Sequence, residues 1–564
     1  MGDVTEFLID GVSGLTPNGA EGKCIVAGCC SRGKIGQGEV VGKRSDLAAL
    51  FGVGPLVDAL RDIFTAGGQE PYVVAVPVEG VAGGYITDCR HQGSGPEAQS
   101  AGLAARAADV VAVVTVAGPN GEASLKVSFD GGDTFSEAAS VPESGEVAIT
   151  DTGAKLIFKA TEENPLVVDD SYSFRVVTPL SQHQQSGSGP SITATGQPKA
   201  GGQLQLVVVK GGELNTATYQ LSLDGGDNFG PIRTLPLDAE IKVDDLGIAL
   251  ELTEDEYQAG AIYSWEVLSP VPTTAALMNA LTIPMEEHDV EFVYVAGPSD
   301  SVDWAAAAAL ALEKWNSHRP VYFKFESRLP RADEDVNQWA NTLISERQGF
   351  TSKYVQVVAA FGEIVDSTGL SKYRSWGGLN AGRNVANPVQ RAAGAVADGT
   401  IGQVTLPDGW NENIQKALET AGFITPKRYA GVAGVYWGES RTMAEDTSDF
   451  QYEEVLRVTF KAIRLCRKAA LLSLYSEAGD ALLVGNAAGL KYLEAQLSTA
   501  LGTMTAAVPQ ELASYVVEIP LGQDIVNNGL AVELTFIGIP IIKSIKLYGK
   551  YVYAGGKFDP RLED

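Results

Sequence analysis

The sequence predicts an α/β host, with a mixed or parallel sheet and helices, plus a C-terminal α+β domain and two tandem inserted small β-sandwich domains. Three observations favour this fold class. Predicted strands and helices alternate in both flanks of the chain, one phrase of sequence recurs in the middle, and short predicted strands surround each occurrence. A chain of 564 residues has room for several domains of about 100–200 residues each.

The alternation of strands and helices begins before the repeated phrase. The apolar run CIVAGCC predicts a strand, and the stretch from Ser45 to Gly68 has the cap, the apolar spacing and the glycine stop of a helix. The run PYVVAVPV predicts the next strand. Beyond the repeats the same order resumes with VEFVYVAG, the helix DWAAAAALALEKW and VYFKFE. Strands that alternate with helices favour a largely parallel sheet.

The repeated phrase indicates a duplicated domain. SFDGGDTF begins at Ser128, and SLDGGDNF begins 94 residues later at Ser222. The tetrapeptide GSGP recurs with the same offset, from 93–96 to 187–190. Self-similarity at a fixed offset is typical of tandem copies, and Asp-Gly-Gly turns between alternating strands favour a small β-sandwich. Both copies are predicted to be insertions into the host.

The two phrases also resemble the Asp-box hairpin of sialidase-like propellers. In that family the box stabilises a turn, and two copies are too few to build a propeller. A carbohydrate-binding or carbohydrate-active protein is therefore the alternative function that the sequence leaves open. Calcium binding by Asp130 and Asp133 is a weaker alternative, because the spacing of an EF-hand is absent.

Composition limits the classes of partner. The formal net charge is −28, and so acidic a surface repels phosphates, so we expect no nucleic acid partner. We find no apolar run of about 18 residues or more and expect no membrane insertion. The first residues lack a secretory signal, which disfavours a cell-surface binding protein. Five cysteines without disulfide or zinc spacing favour a reducing cytoplasm.

The sequence carries no catalytic motif. GQGEVVGKRS differs from a phosphate-binding loop at Gln37 and Arg44, and the four histidines are scattered along the chain. General acid–base chemistry would have to depend on carboxylates that nothing in the pattern singles out. We predict that the protein is not an enzyme and has no catalytic, cofactor-binding or metal-binding residues and no cofactor.

Three stretches, taken in order, resemble the tail sheath protein of contractile phage tails and related contractile injection systems. The first is the strand, loop, helix and strand of residues 25–76, which ends in YVVAV. The second contains the turn WGESRT, from Trp437 to Thr442, and the helix after it. The third is QDIVNNGL and the strands that follow it, residues 523–552. The resemblance covers roughly 23–90 and 271–564.

This resemblance implies a mechanical function. Sheath subunits polymerise as stacked hexameric rings around an inner tube and contract to drive the tube through a target cell envelope, which in a phage serves genome ejection. The implied partners are other copies in a helical homopolymer, the inner tail tube protein, and baseplate and tail terminator proteins. The implied location is a virion tail or contractile particle assembled in the bacterial host cytoplasm. The two repeats would be outer decoration.

Domain boundaries follow from these patterns. The predicted segments are an N-terminal arm at 1–22, the first part of the α/β core at 23–90, the two β-domain copies at 91–180 and 181–270, the second part of the core at 271–440, and a C-terminal sheath domain at 441–564 that ends in an exchangeable strand arm.

Both ends of the chain are predicted to form arms. The alternating pattern of IIKSIKLYGKYVY is typical of a strand, and so is VTEFLIDG near the start. The resemblance implies that each arm adds a strand to the sheet of a neighbouring copy, whereas an edge strand in the chain's own sheet is the alternative. The predicted arm residues are Val4, Phe7, Ile9, Ile545, Leu547, Tyr551 and Tyr553.

A basic stripe marks the predicted helix after Gln451. No acidic residue occurs from Arg457 to Ser476, and the basic residues recur at helical spacing. The stripe is predicted to face the inner tube or a neighbouring subunit, with a solvated helix face as the alternative and the helix at 487–501 as a rival tube contact. The stripe consists of Arg457, Lys461, Arg464, Arg467 and Lys468.

Overall fold

The computed structural model describes residues 19–68, 70–181, 184–479, 487–520, 522–555, 557–558 and 560–562. The chain divides into two compact units, Met1–Arg464 and Leu465–Asp564. This boundary lies inside a helix and later than the predicted start of the C-terminal domain at residue 441. Residues 441–464 therefore belong to the first unit.

Strands are spread over the host and both repeats. Before the repeats they are β1 (Lys23–Cys29), β2 (Glu39–Val41), β3 (Tyr72–Val78) and β4 (Gly80–Val81). The first repeat domain has β5 (Tyr85–Ile86), β6 (Arg90–Gln92), β7 (Ala98–Gly102), β8 (Ala108–Val116), β9 (Ser124–Ser128), β10 (Ala139–Ser140), β11 (Glu146–Ile149), β12 (Ala154–Phe158) and β13 (Ser171–Val177). The second has β14 (Gln184–Ser186), β15 (Thr193–Gly196), β16 (Gly202–Lys210), β17 (Thr218–Ser222), β18 (Arg233–Thr234), β19 (Glu240–Val243), β20 (Ile248–Glu251) and β21 (Ile262–Val267). The strands after the repeats are β22 (Val271–Pro272), β23 (Phe292–Ser299), β24 (Tyr322–Ser327), β25 (Val355–Val358), β26 (Phe361–Val365), β27 (Ser371–Ser375), β28 (Val404–Thr405), β29 (Pro426–Lys427), β30 (Tyr436–Trp437), β31 (Ser514–Glu518) and β32 (Glu533–Ile537).

Helices occur in the host and in the second unit. Those of the described chain are α1 (Leu47–Phe51), α2 (Pro55–Ala66), α3 (Thr274–Leu281), α4 (Pro284–Glu287), α5 (Ser301–Asn316), α6 (Val336–Arg347), α7 (Gly377–Ala386), α8 (Glu412–Thr420), α9 (Glu453–Leu471), α10 (Ala488–Thr505) and α11 (Ile525–Asn528). Local sequence explains where several begin. Asp300 and Asp335 close reciprocal capping boxes at the starts of α5 and α6, and Pro55 occupies the first turn of α2.

The core of the first unit is a six-stranded sheet in the order β2-β3-β1-β23-β24-β25. Its strands pair in parallel except β2, which runs antiparallel to β3 at one edge. β1 is buried along its whole length, as expected for a strand of a parallel sheet covered by helices. The predicted mixed sheet with helices is confirmed, and many small sheets accompany it.

Each repeat domain has a larger and a smaller sheet around one apolar cluster. The first has β10-β9-β8-β13-β5, with β6 also on β13, and β11-β12-β7, whereas the second has β14-β21-β16-β17-β18 and β15-β20-β19. The two backbones match in detail. A register irregularity between Val114 and Val116 recurs between Val208 and Lys210, with the offset of the sequence repeat.

Both repeats leave and rejoin the host at one place. β4 precedes the first copy and pairs antiparallel with β22, which follows the second copy, with Val81 opposite Val271. The first copy starts before the predicted residue 91, because β5 and β6 pair with β13. The strands β4 and β22 therefore form a neck, and all residues between Val81 and Val271 lie beyond it.

The second unit contains α10 and a two-stranded hairpin of β31 and β32. Apolar residues spaced three or four apart are buried along α10, and α10 contacts β31. Those buried side chains are Leu490, Leu493, Leu497, Leu501 and Met504.

Candidate functional site

The segment that follows β32 exposes several large apolar side chains. Residues 538–553 belong to no helix or strand. Leu547 is 89% exposed and Tyr551 is 83% exposed, although both residue types are usually buried at least in part. Ile542, Ile545, Tyr548 and Tyr553 are also exposed.

The exposed segment keeps the alternation that predicts a strand. Ile545, Leu547, Tyr551 and Tyr553 have one parity, whereas Lys546, Tyr548 and Lys550 have the other. In a strand, residues of one parity share a face, so the segment has an apolar face and a basic face once it pairs with a sheet. Burial of a large apolar side chain stabilises a folded or assembled state by about 1.5–3 kcal/mol. The exposed side chains of this segment do not gain this stabilisation within the described chain.

The hairpin of β31 and β32 offers the edge that such a segment needs. Tyr515 lies opposite Phe536, and Val517 lies opposite Leu534. These four side chains are half-buried, whereas the alternate residues of both strands are exposed. No third strand joins this sheet within the described ranges. Because a two-stranded sheet is only marginally stable by itself, additional strands would extend its apolar face.

The predicted N-terminal arm residues Val4, Phe7 and Ile9 lie outside the described residues. Residues near the start of the described chain make polar contacts with the first unit. The backbone N–H of Gly22 donates to Oε2 of Glu291 at 2.7 Å, and Oε1 of Glu21 lies 3.7 Å from Nη1 of Arg464. These contacts attach the root of the N-terminal segment to the core sheet and to α9.

The predicted basic stripe on α9 is wrong for two of its five members. Arg457 is only 2% exposed, and its Nε and Nη2 donate to the two carboxylate oxygens of Glu291 at 2.6 and 3.1 Å. Arg464 is buried as well and donates to the carbonyls of Val290 and Pro320. Neither side chain can face a partner, because both satisfy polar groups inside their own unit.

The remaining stripe residues are more accessible. Arg467 and Lys468 are exposed, and Lys461 is half-buried. Helical spacing places residues on one side of a helix but does not determine which side packs inward. In this helix a long basic side chain is the partner of a buried carboxylate, so part of the basic side faces the interior.

Burial and ion pairing oppose each other at Glu291. Burial alone would raise the pKa of its carboxyl group, but Arg457 beside it, a hydrogen bond from Gly22 and the charge of Arg464 hold that pKa below its usual value. The pair is therefore charged at neutral pH. Separation of the pair would leave an uncompensated buried charge, so the pair opposes a displacement of Arg457 on α9 from Glu291.

A second set of buried polar groups, which the sequence analysis missed, adjoins this pair. Glu453 at the start of α9 accepts hydrogen bonds from Tyr322, at 2.8 Å, and from Asn384, and its Oε1 lies 3.3 Å from Nζ of Lys324. Lys324 also donates to Oδ1 of Asn380 at 2.5 Å. Burial lowers the pKa of Lys324, and Glu453 partly offsets this effect. The sequence feature that points to these buried polar groups is Lys324, a lysine inside the apolar run VYFKFE.

The Asp-box carboxylates are engaged within their own turns. Oδ1 of Asp130 accepts from the hydroxyl of Ser128 at 2.6 Å, and Oδ2 accepts from Thr134 at 2.6 Å. Asp224 makes the equivalent bonds with Ser222 at 2.6 Å and Asn228 at 2.7 Å. The boxes hold the hairpin turns in shape, and the carboxylate of Asp224 also accepts a hydrogen bond from the backbone N–H of Ser371 in the host.

The family models decide where the chain belongs. The model described as DUF2586, N-terminal domain, matches residues 1–441, and the model described as DUF2586, C-terminal domain, matches residues 449–556. This chain belongs to the DUF2586 family. No curated protein matches its sequence.

Solved structures similar to this DUF2586 protein include sheath proteins. A sheath tail protein from Desulfitobacterium hafniense is 11% identical, with 95% of this chain and 100% of that chain covered and a TM-score of 0.41. A sheath tail protein from Listeria innocua is 9% identical, with 93% and 96% covered and a TM-score of 0.41. The contracted sheath complex of the extracellular contractile injection system PVC is 16% identical, with 52% and 76% covered and a TM-score of 0.37. Sheath proteins, which the sequence resembles, are thus among the solved structures to which this chain is similar.

Cavities of this DUF2586 protein adjoin the repeats. One of about 430 Å³ lies between the second copy and Leu370 of the host, beside Phe229 and Arg233, and another of about 680 Å³ lies between the copies beside Leu180 and Trp265. The described residues include no group of three or more His, Cys, Asp or Glu arranged to hold a metal ion. Within those same ranges, no helix combines the length and the apolar character needed to cross a bilayer.

Proposed function

We propose that this DUF2586 protein is a non-enzymatic structural subunit of a contractile tail sheath. The observation that carries the proposal is the exposed segment at 541–555, which has the alternation of a strand and follows a hairpin that no third strand joins among the described residues. Copies would join by placing this segment, and the N-terminal segment, on sheets of neighbouring copies.

The energetics of such a link suit a polymer. About six backbone hydrogen bonds contribute about 1 kcal/mol each, and burial of two or three side chains such as Leu547 and Tyr551 contributes about 1.5–3 kcal/mol apiece. These contributions total about 9–15 kcal/mol, and the cost of association, about 4–15 kcal/mol, offsets much of that total for a single link. Once one link holds a subunit in place, its other links form at a high effective concentration. Several links together therefore bind a subunit to the lattice much more tightly than one link does.

The proposed mechanism is mechanical. Rings of subunits would surround an inner tail tube in a long state, and baseplate proteins would release them to rotate and slide. Each body would move as a unit, because buried pairs such as Arg457 with Glu291 oppose a displacement of their partners from each other. The terminal segments would keep the rings connected. The particle would be a virion tail or related assembly, completed by a terminator protein and built in the bacterial cytoplasm.

Two further features fit this function. The neck of β4 and β22 supports a role for both repeats as outer decoration, since an insertion with adjacent ends leaves the host continuous. The exposed residues Arg467 and Lys468 remain proposed contacts to the tube or to a neighbouring copy, and α10 remains the rival tube contact.

Deletion of residues 541–564 tests the proposal. We expect the full chain to form striated tubes or rings under the electron microscope, and the truncated chain to remain a soluble, folded monomer with unchanged circular dichroism. The segment contributes no buried side chain to its own chain between Ile542 and Tyr553, so the deletion should not unfold the protein. Normal tubes from the truncated chain would contradict the proposal.

A further inference from the structure

The exposed face of the hairpin carries an unfavourable charge pair. Glu518 at the end of β31 lies directly opposite Glu533 at the start of β32, and both side chains are exposed. Within the described part of the chain, neither carboxylate has a hydrogen-bond or ion-pair partner. Like charges directly opposite each other on neighbouring strands destabilise a sheet. A cation on an added strand would remove this repulsion.

The C-terminal segment carries such cations on the required face. From residue 534 to residue 558 the chain has four lysines and no acidic residue, although the net charge of the whole chain is −28. If the apolar face of the segment continues the half-buried face of the hairpin, then Lys546 and Lys550 lie on the exposed face, the face of Glu518 and Glu533.

The N-terminal segment has the opposite charge. It contains Asp3, Glu6 and Asp10 and no basic residue before Lys23. An acidic strand beside Glu518 or Glu533 would add to the repulsion, so charge favours the C-terminal segment at this position.

We propose that the C-terminal segment of one copy adds to an edge of the hairpin of a second copy with Tyr548 opposite Glu518 or Glu533, so that Lys546 and Lys550 flank that carboxylate from the two diagonal positions, and that this arrangement sets the register of the added strand. The inference rests on the proposed sheath function and deepens it. A slip of one residue would turn the apolar face to solvent, so only slips of two residues preserve the faces. Among the registers that differ by two residues, charge favours the one that brings the lysines next to a glutamate. Cross-strand and diagonal neighbours lie about 5–8 Å apart, which is close enough for their charges to interact.

Charge exchange between copies tests the pairing. The arm-reversed variant carries Lys546→Glu and Lys550→Glu, and the hairpin-reversed variant carries Glu518→Lys and Glu533→Lys. At about 0.05 M salt we expect each alone to need at least tenfold more protein than the wild type before tubes sediment. An equimolar mixture of the two should assemble near the wild-type concentration, because each segment then finds a complementary hairpin on the other variant.

Controls separate this inference from the proposed function. The variant Glu162→Lys with Glu163→Lys changes two exposed glutamates of the first repeat domain and should assemble normally. At about 1 M salt, where exposed charges are screened, the defects of the two reversed variants should shrink. Wild-type assembly by either reversed variant alone, or failure of the mixture to recover, overturns the pairing. If the pairing is overturned but deletion of 541–564 still blocks assembly, the proposed sheath function stands without the Lys–Glu pairing.

Discussion

Arg457 illustrates how one residue can determine the packing of a helix. Its guanidinium matches the carboxylate of Glu291 at two points and also donates to the carbonyl of Asn384 at 3.0 Å. Arginine suits this position because its donors form a planar fork, whereas lysine would present a single point charge. The same Glu291 accepts from Gly22, so one carboxylate joins α9 to the beginning of the described chain.

At this scale we predict that Arg457→Met destabilises the protein. The substitution keeps the apolar stem but leaves Glu291 buried without its cation, and loss of one partner of a buried pair costs about 3–5 kcal/mol. Urea unfolding followed by tryptophan fluorescence measures the change. The matched control is Arg467→Met on the exposed side of the same helix, which should change the free energy of unfolding by no more than about 0.5 kcal/mol. Equal effects of the two substitutions would contradict this account.

At the scale of secondary-structure elements, the hairpin and the C-terminal segment share one strand-like alternation. β31 and β32 alternate between half-buried and exposed residues, and the segment after them has the same alternation without a partner. A strand pattern in sequence does not say whether its partner lies in the same chain. In the described structure the pattern continues beyond the last strand, which is the situation in which a second copy can supply the edge.

For this element we predict that one face of the segment matters for assembly. Leu547→Asp places a charge on the face that would be buried between copies and should block tube formation. Leu547 is 89% exposed in the single chain, so the midpoint of urea unfolding should not change. Electron microscopy and sedimentation measure assembly.

The control for this prediction is Ser544→Lys, which introduces a charge on the opposite face, the face that already carries Lys546 and Lys550. It should leave tubes intact or nearly so. An equal loss of assembly from both substitutions would show that the segment does not act as a two-faced strand.

At the scale of the whole molecule, the neck of β4 and β22 joins both repeat domains to the host. The segment between Val81 and Val271 contains both repeat domains, and its two ends pair with each other in β4 and β22. The core sheet lies outside it, because β1, β3 and β23 pair without any strand from the repeats.

We therefore predict that replacing residues 82–270 with a short Gly-Ser turn leaves assembly intact. The neck strands are already adjacent, so a short turn can join them. Sedimentation and microscopy of the shortened chain provide the measurement, and thinner tubes of normal length are the expected result. Loss of tubes, with the shortened chain folded by circular dichroism, would show that the repeats take part in subunit contacts.

The sequence alone predicts those features of the fold that depend on the order of residues along the chain. The alternation of strands and helices predicts the mixed core sheet, and the fixed offset between Ser128 and Ser222 predicts two similar backbones, because both depend only on residue order. The domain boundaries were less accurate. β5 and β6 join the first repeat domain through pairing with β13, a contact between residues distant in sequence.

The sequence by itself determined the repeat, the alternating strands and the two-faced C-terminal segment, since periodicity along the chain defines each of them. Only the tertiary structure decided that Arg457 and Arg464 face inward, because that depends on Glu291 and on backbone carbonyls that lie far away in sequence. It also placed Glu518 opposite Glu533. Helical and strand periods order side chains around one element, whereas burial and pairing depend on which elements meet.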